Sequence, residues 1–282
     1  MSDLKVQERS LTSARGYVDY ILSHRRINLP PVPETCLITY SDAFLEQAKR
    51  RYDYRVIDIG SRKPTEIYFF RSDNGENFSI VSPQYGDAMA VTTLEELIAL
   101  GEISAQQQGS KGFQNFLSMG TAGHPTNKEQ PQLNIGDVLL VSKALRYEGS
   151  SSHYADESYI PKTDEQMLAI LRGILSQRNI PFKEGLVATT SAIYRETPSF
   201  ISRVLESEAL GLDMETSALL TVADFYKRRF GTLLYISDIV KVGGSNGEWN
   251  VEFLSGDVSD TETRLLDVAI ELANRLRVTI QK

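Results

Sequence analysis

The 282 residues carry 30 basic and 37 acidic side chains, a formal charge of -7, and are 41% hydrophobic and 24% charged. The acidic balance works against sequence-independent contact with nucleic-acid phosphates and directs attention to a small-molecule partner. The single cysteine, Cys36, excludes an intrachain disulfide framework, and three widely spaced histidines give a metal site little support, so no metal is expected.

The stretch MSDLKVQERS at the start has no apolar signal core, and no apolar run approaches the length of a membrane span. A cytoplasmic protein without membrane contact is expected. Residues 1–33 are polar, with a helical pattern in ARGYVDYILSHRR that the prolines of LPPVP must end, and are read as an N-terminal helical arm. From residue 34 to residue 282, β-rich runs (TCLITY, YRVIDIG, TEIYFF, FSIVS, FQNFLSMG, DVLLVSKAL, GLVATT, GTLLYISDIV) alternate with runs of helical spacing. The helical runs are DAFLEQAKRR, TTLEELIALG, TDEQMLAILRGILSQR, PSFISRVLES, DMETSALLTVADFYKRR and DTETRLLDVAIELANRL. The alternation predicts a single α/β domain, a three-layer α/β/α sandwich with a central mixed β-sheet. GHPTNKEQPQ and VGGSNGEW read as surface loops, the second as a lid over a site.

Ligands in open α/β sheets bind at the carboxyl ends of strands, which directs attention to three places. Gly120-Thr121-Ala122-Gly123 follows an apolar run and reads as a turn whose amides can face a ligand closely. Ser237 and Asp238 interrupt another apolar run, and Asp213, Met214 and Glu215 stand at the mouth of a helix built for burial. Each also has a structural explanation: a plain turn, a satisfied carboxylate, and acids that complement a helix dipole.

In this order and wording the three motifs resemble the nucleoside phosphorylase and nucleosidase superfamily, which includes purine nucleoside phosphorylases, uridine phosphorylases and methylthioadenosine nucleosidases. The resemblance runs from about Cys36 to the end and is carried by GTAG, by IGDVLLVSKALRYEGSSSHYA, which is most similar to the uridine branch, and above all by LGLDMETSALLTVA. It implies that Glu215 accepts hydrogen bonds from ribose hydroxyls, a task that suits the two oxygens of a carboxylate, while Met214 packs on the sugar. It implies that the Ser237-Asp238 pair faces a purine, with Asp238 as the proton donor to the departing base. Thr121, Ala122 and Gly123 belong to the substrate site, and Ile193 and Tyr194 fall where the family sets an apolar or aromatic residue against the base. Asp213 has no assigned role.

The phosphate clamp of the family is largely missing. ITYSDAFLEQ lacks the glycine and arginine expected after the first strand, Ser118 stands where an arginine precedes the second glycine motif, and Asp87 follows Gly86 in PQYGDAMAVTT. Arg62 or Lys63 could match a basic residue supplied across a subunit interface, and Arg195 is a loose candidate for reading uracil. For the nucleophile site the candidates are Asp42, Glu46 and Gly86, the two acids having the alternative explanations of helix N-cap and solvated helix face. The expected activity is cleavage of the N-glycosidic bond of a nucleoside, purine rather than pyrimidine, with phosphate and water both open as acceptor. No cofactor is expected beyond inorganic phosphate as a possible co-substrate, and the family resemblance implies a homo-oligomer, dimer or hexamer. A uridine phosphorylase-type enzyme and a non-catalytic nucleoside-binding or storage-like descendant are the alternatives.

Overall fold

The computed structural model describes residues 10–61, 63–71, 77–243, 248–251 and 256–279 of the chain. Its strands are β1 (Thr35–Thr39), β2 (Asp53–Asp58), β3 (Glu66–Arg71), β4 (Asn77–Val81), β5 (Asn115–Thr126), β6 (Val138–Tyr147), β7 (Phe182–Thr190), β8 (Gly211–Asp213), β9 (Arg229–Lys241) and β10 (Glu248–Val251). Its helices are α1 (Ala14–His24), α2 (Asp42–Arg51), α3 (Asp87–Gln108), α4 (Glu165–Gln177), α5 (Pro198–Glu206), α6 (Thr216–Phe225) and α7 (Gly256–Thr279).

The strands form one mixed sheet in the order β10-β9-β6-β7-β8-β5-β1-β4-β3-β2, and β9 also pairs with β5. Strands β5, β9, β6, β7 and β8 therefore close into a ring, from which β1, β4, β3 and β2 extend as an open sheet. Every residue of β1 is buried, as expected for a strand covered on both faces by helices. One side of the sheet holds a core with Val18, Ile21 and Leu22 of α1, Leu94 and Leu97 of α3 and Leu219 and Val222 of α6. The other side holds Phe44 and Leu45 of α2, Leu171 and Ile174 of α4 and Leu265 and Leu272 of α7. Helix α5 covers β7 and β8 with Phe200, Ile201 and Val204. This is the expected α/β/α arrangement, with part of its middle layer rolled into a ring.

Three local expectations change. Gly120-Thr121-Ala122-Gly123 is not a turn: β5 runs straight through it to Thr126, because β9 supplies a hydrogen-bonding partner along that whole length. The first residues of GHPTNKEQPQ accordingly belong to β5 rather than to a loop. Strand β8, only three residues long, carries no periodicity of its own and exists because β7 and β5 flank it. Of VGGSNGEW, residues 244–247 lie outside the described residues, while Trp249 belongs to β10, paired antiparallel with β9. Among the described residues no helix is long and apolar enough to cross a membrane.

Candidate functional site

A cavity of about 650 Å³ opens beside the carboxyl end of β1 and the later halves of β5 and β9. The segments that line it come from far apart in the chain: Tyr40 to Asp42 after β1, Ser118 and Gly120 to Gly123 in β5, and Ile193, Tyr194 and Glu196 after β7. Leu212 to Glu215, Leu234 to Asp238 except Ile236, and Glu262 of α7 complete it.

Asp213 and Glu215 divide the work at the mouth of α6. Asp213 Oδ2 accepts from the backbone amides of Thr216 (2.8 Å) and Glu215 (3.4 Å), and its Oδ1 accepts from Thr189 Oγ1 (2.6 Å). It holds the first amides of the helix and ties it to β7, so both its oxygens are engaged in structure. Glu215 turns the other way. Its Oε1 accepts from the Gly86 N–H at 2.6 Å, and Gly86 reaches it with φ +98°, a left-handed conformation that glycine adopts without strain. Burial, and then the neighbouring charge of Asp213, push the Glu215 carboxyl above its ordinary range.

Asp238 is placed by a bulge. Across β5 and β9, Ala122 pairs with Ile236 and Gly123 with Asp238, so Ser237 is the extra residue and the strand bends at that point. Ser237 Oγ donates to Asp238 Oδ1 (2.7 Å) and Trp249 Nε1 donates to Asp238 Oδ2 (2.7 Å), which leaves the carboxyl 5% exposed and held at both oxygens. Gly123 is the residue that makes room: a Cβ there would stand 2.9 Å from Asp238 Oδ2.

Glu196 lines the same cavity, and burial followed by the charge of Asp238 pushes its carboxyl up to about 7. The native chain therefore holds a proton on Glu196 at pH values where the unfolded chain has lost it. Stability must fall as pH rises from the ordinary glutamate value of 4.5 towards 7. Urea midpoints at pH 5 and pH 8 check this: the wild type should lose more between the two than Glu196→Gln, and equal losses would contradict it.

Ser41, which also lines the cavity, caps α2, its Oγ accepting from the Ala43 amide while donating to Glu262 Oε1. Tyr235 Oη donates to the same oxygen at 2.7 Å. Tyr40 Oη is buried without a hydrogen-bond partner among the described residues, and burial with the charges of Glu215 and Asp213 keeps it protonated. Asp42, Glu196, Asp213, Glu215, Asp238 and Glu262 are thus six carboxyl groups around one cavity, with no Lys, Arg or His among its described lining residues. Among the described residues, no group of three or more His, Cys, Asp or Glu side chains is arranged to hold a metal ion.

The chain matches the family described as the phosphorylase superfamily over residues 35–274. It belongs to that family. A DeoD-type purine nucleoside phosphorylase of Brevibacillus brevis is 26% identical over 165 residues, covering 58% of this chain and 66% of the relative. A uridine phosphorylase of Thermococcus kodakarensis is 23% identical over 189 residues, covering 62% of this chain and 63% of the relative, so the chain spans just under two thirds of the length of these two relatives. Among solved structures, an AMP nucleosidase from Bacteroides thetaiotaomicron superposes with a TM-score of 0.68 at 19% identity, covering 93% of this chain and 99% of the other. A uridine phosphorylase from Vibrio fischeri does so at 0.69 and 18%, covering 86% and 92%. These structures share the fold.

Of the residues singled out in the sequence of this phosphorylase-superfamily chain, Thr121, Ala122, Gly123, Ile193, Tyr194, Met214, Glu215, Ser237, Asp238 and Asp42 all line the cavity. Tyr194 stands at its mouth, 86% exposed, rather than deep against a buried surface. Glu46 is not part of the cavity: it lies on the solvent face of α2, paired with Lys49 at 2.9 Å. Gly86 serves Glu215 through its amide, so its place in the site is as an anchor for a carboxylate. The cap of α2 is Ser41 and not Asp42, which opens on the cavity from the first helical turn. Arg195 is exposed and absent from the lining, and Arg62 lies outside the described residues. Glu196, Trp249, Tyr40 and Glu262 were missed. For Glu262 a signal existed, since it shares a helical face with the fully buried Leu265, Leu266 and Ala269, where a carboxylate needs a reason to be.

Proposed function

We propose that this chain cleaves the N-glycosidic bond of an uncharged purine nucleoside with water as the acceptor. The observation that carries this reading is the lining of the cavity, where six carboxyls gather without a cation among the described residues. A phosphate ion or a phosphorylated sugar needs cationic donors to hold it, and the described lining offers none, while neutral water and a neutral nucleoside need none.

In this reading Glu215 holds the ribose. With Oε1 fixed by Gly86, the carboxyl accepts from the sugar hydroxyls, and Met214 beside it supplies a polarisable apolar surface. Breaking the bond between C1′ and the base nitrogen leaves positive charge on the sugar and negative charge on the base. Asp238, held by Ser237 and Trp249, gives its proton to the base, and the partly protonated Glu196 beside it is a neighbouring source from which that proton is restored. The Ser-Asp pair and two carboxyls at the base end support a purine, whose ring nitrogens can take the proton, over uracil.

The test is base release from adenosine, inosine, guanosine, methylthioadenosine and uridine, each with and without phosphate, followed by chromatography. Release from a purine nucleoside that phosphate does not increase is expected; release only with phosphate, or from uridine alone, would overturn the proposal. Gly123→Ala should reduce that turnover by up to about a hundredfold, because the added methyl displaces the Asp238 carboxyl from its working position. Unchanged turnover in that variant would mean that the position of Asp238 does not matter. The mouth of the cavity is framed by Tyr85, 72% exposed, and Tyr194, and a homo-oligomer that covers these rings is part of the proposal. Light scattering should give more than one chain per particle, and a monomer would contradict it.

A further inference from the structure

We propose that Glu262 of α7 is the general base that activates the attacking water, an assignment that rests on the hydrolytic reading above. Glu262 is 5% exposed, stands on an otherwise apolar helical face and yet lines the cavity. A carboxylate in such a place is costly unless it is paired or hydrogen-bonded. Its Oε1 is fully engaged. Ser41 Oγ accepts from the Ala43 amide and donates its proton to Oε1, which as a carboxylate oxygen can only accept, and Tyr235 adds a second O–H at 2.7 Å. Burial and the Glu262 charge push the Tyr235 hydroxyl well above its ordinary range, so it remains a donor. Both donors fall on one oxygen. Among the described residues Oε2 has no partner, and its lone pairs are hydrogen-bonding capacity that the fold leaves unused beside the cavity.

The place is the right one. Tyr235 pairs in register with Thr121 of β5, and Ser41 follows the end of β1, which pairs with β5, so its two donors hold Glu262 at the carboxyl end of β1 among the residues that line the cavity. Asp238 lies three residues further along β9, beyond the bulge, beside Gly123. A sugar held by Glu215 between these positions has an acid on the base side and Glu262 on another wall of the cavity. The step balances. Glu262 Oε2 takes a proton from water as the water oxygen bonds to C1′, the bond from C1′ to the base breaks with its electron pair going to the base, and Asp238 gives that base a proton. The products are free sugar and free base, and solvent returns the proton from Glu262 to Asp238.

Glu262→Gln tests this in the full-length protein. The amide oxygen can still accept from both Ser41 and Tyr235, so the fold should be kept, as an unchanged thermal midpoint would verify. Phosphate-independent base release should fall by about a hundred- to a thousandfold with KM little changed, the usual range for loss of a positioned base. A second variant, Glu262→Ala, leaves a space that a small carboxylate can enter, and added formate should raise its turnover without affecting the wild type. Wild-type-like turnover in Glu262→Gln, in an enzyme that needs no phosphate, would overturn the role of Glu262 and leave hydrolysis standing. A loss in Glu262→Ala that formate does not relieve, with a lowered thermal midpoint in both variants, would make the residue structural. A wild type that releases base only with phosphate would overturn the hydrolytic reading and this assignment with it.

Discussion

Asp238→Asn is expected to lower turnover by about a hundred- to ten-thousandfold, the range for loss of a general acid, while nucleoside binding is largely retained. The substitution keeps the shape of the side chain and one oxygen that can accept from Ser237 or Trp249, but removes the transferable proton. Its amide nitrogen cannot accept the second of those bonds, so some loss of alignment accompanies the loss of acidity. Trp249→Phe separates the two effects. It keeps the acid and deletes one donor, and its expected loss is about tenfold, a shift in alignment rather than the removal of a reactant. Turnover by chromatography together with calorimetric binding of a purine nucleoside distinguishes the outcomes. Retained turnover in Asp238→Asn would remove Asp238 from the chemistry, and binding without turnover in the wild type would identify a nucleoside-binding descendant.

The second large effect concerns Glu215→Gln. With its one oxygen on the Gly86 amide, glutamine turns an NH2 donor to the sugar hydroxyls in place of an acceptor, which should reduce kcat/KM by about a hundredfold or more, since a polar group left without its partner costs roughly 1–3 kcal/mol. Glutamine retains an oxygen for the Gly86 amide, so the loop that opens α3 stays in place. The informative comparison is with the matching 2′-deoxynucleoside, which lacks one of the two hydroxyls. If Glu215 acts on the sugar, the variant should lose less against the deoxy substrate than against the ribonucleoside, the mark of direct coupling. Equal losses on both substrates would mean that Glu215 matters by anchoring Gly86 and not by touching ribose.

Asp213 shows why such distinctions need geometry. It precedes Met214-Glu215 and looks in the sequence like a partner of equal standing, yet its oxygens are occupied by Thr189, Thr216 and Glu215 amide or hydroxyl donors. Glu215, two residues away, instead holds the Gly86 amide across the cavity. Spacing places both acids at the helix mouth, and only the packing of α6 against β7 decides which one holds the first helical amides and Thr189 and which one holds the Gly86 amide.

What could be read from the sequence alone was what depends on neighbours in the chain. Alternating apolar runs and helical periodicity predicted the α/β/α layers, because a strand or helix buries its face by a local pattern. The Met214-Glu215 and Ser237-Asp238 pairs were legible for the same reason, each lying within a few residues of the apolar run that positions it. Tertiary structure decided the rest. Gly120 to Gly123 reads locally as a turn, but pairing with β9 draws it into a continuous strand, and the bulge in β9 at Ser237 sets Asp238 against Gly123. Ser41 and Glu262 lie 221 residues apart, and Trp249 reaches Asp238 only because β10 folds back along β9. No local pattern records such meetings. They arise when the ring of strands closes and the helices settle on its two sides, because side chains remote in sequence then become one another's nearest polar partners in a space from which water is largely excluded.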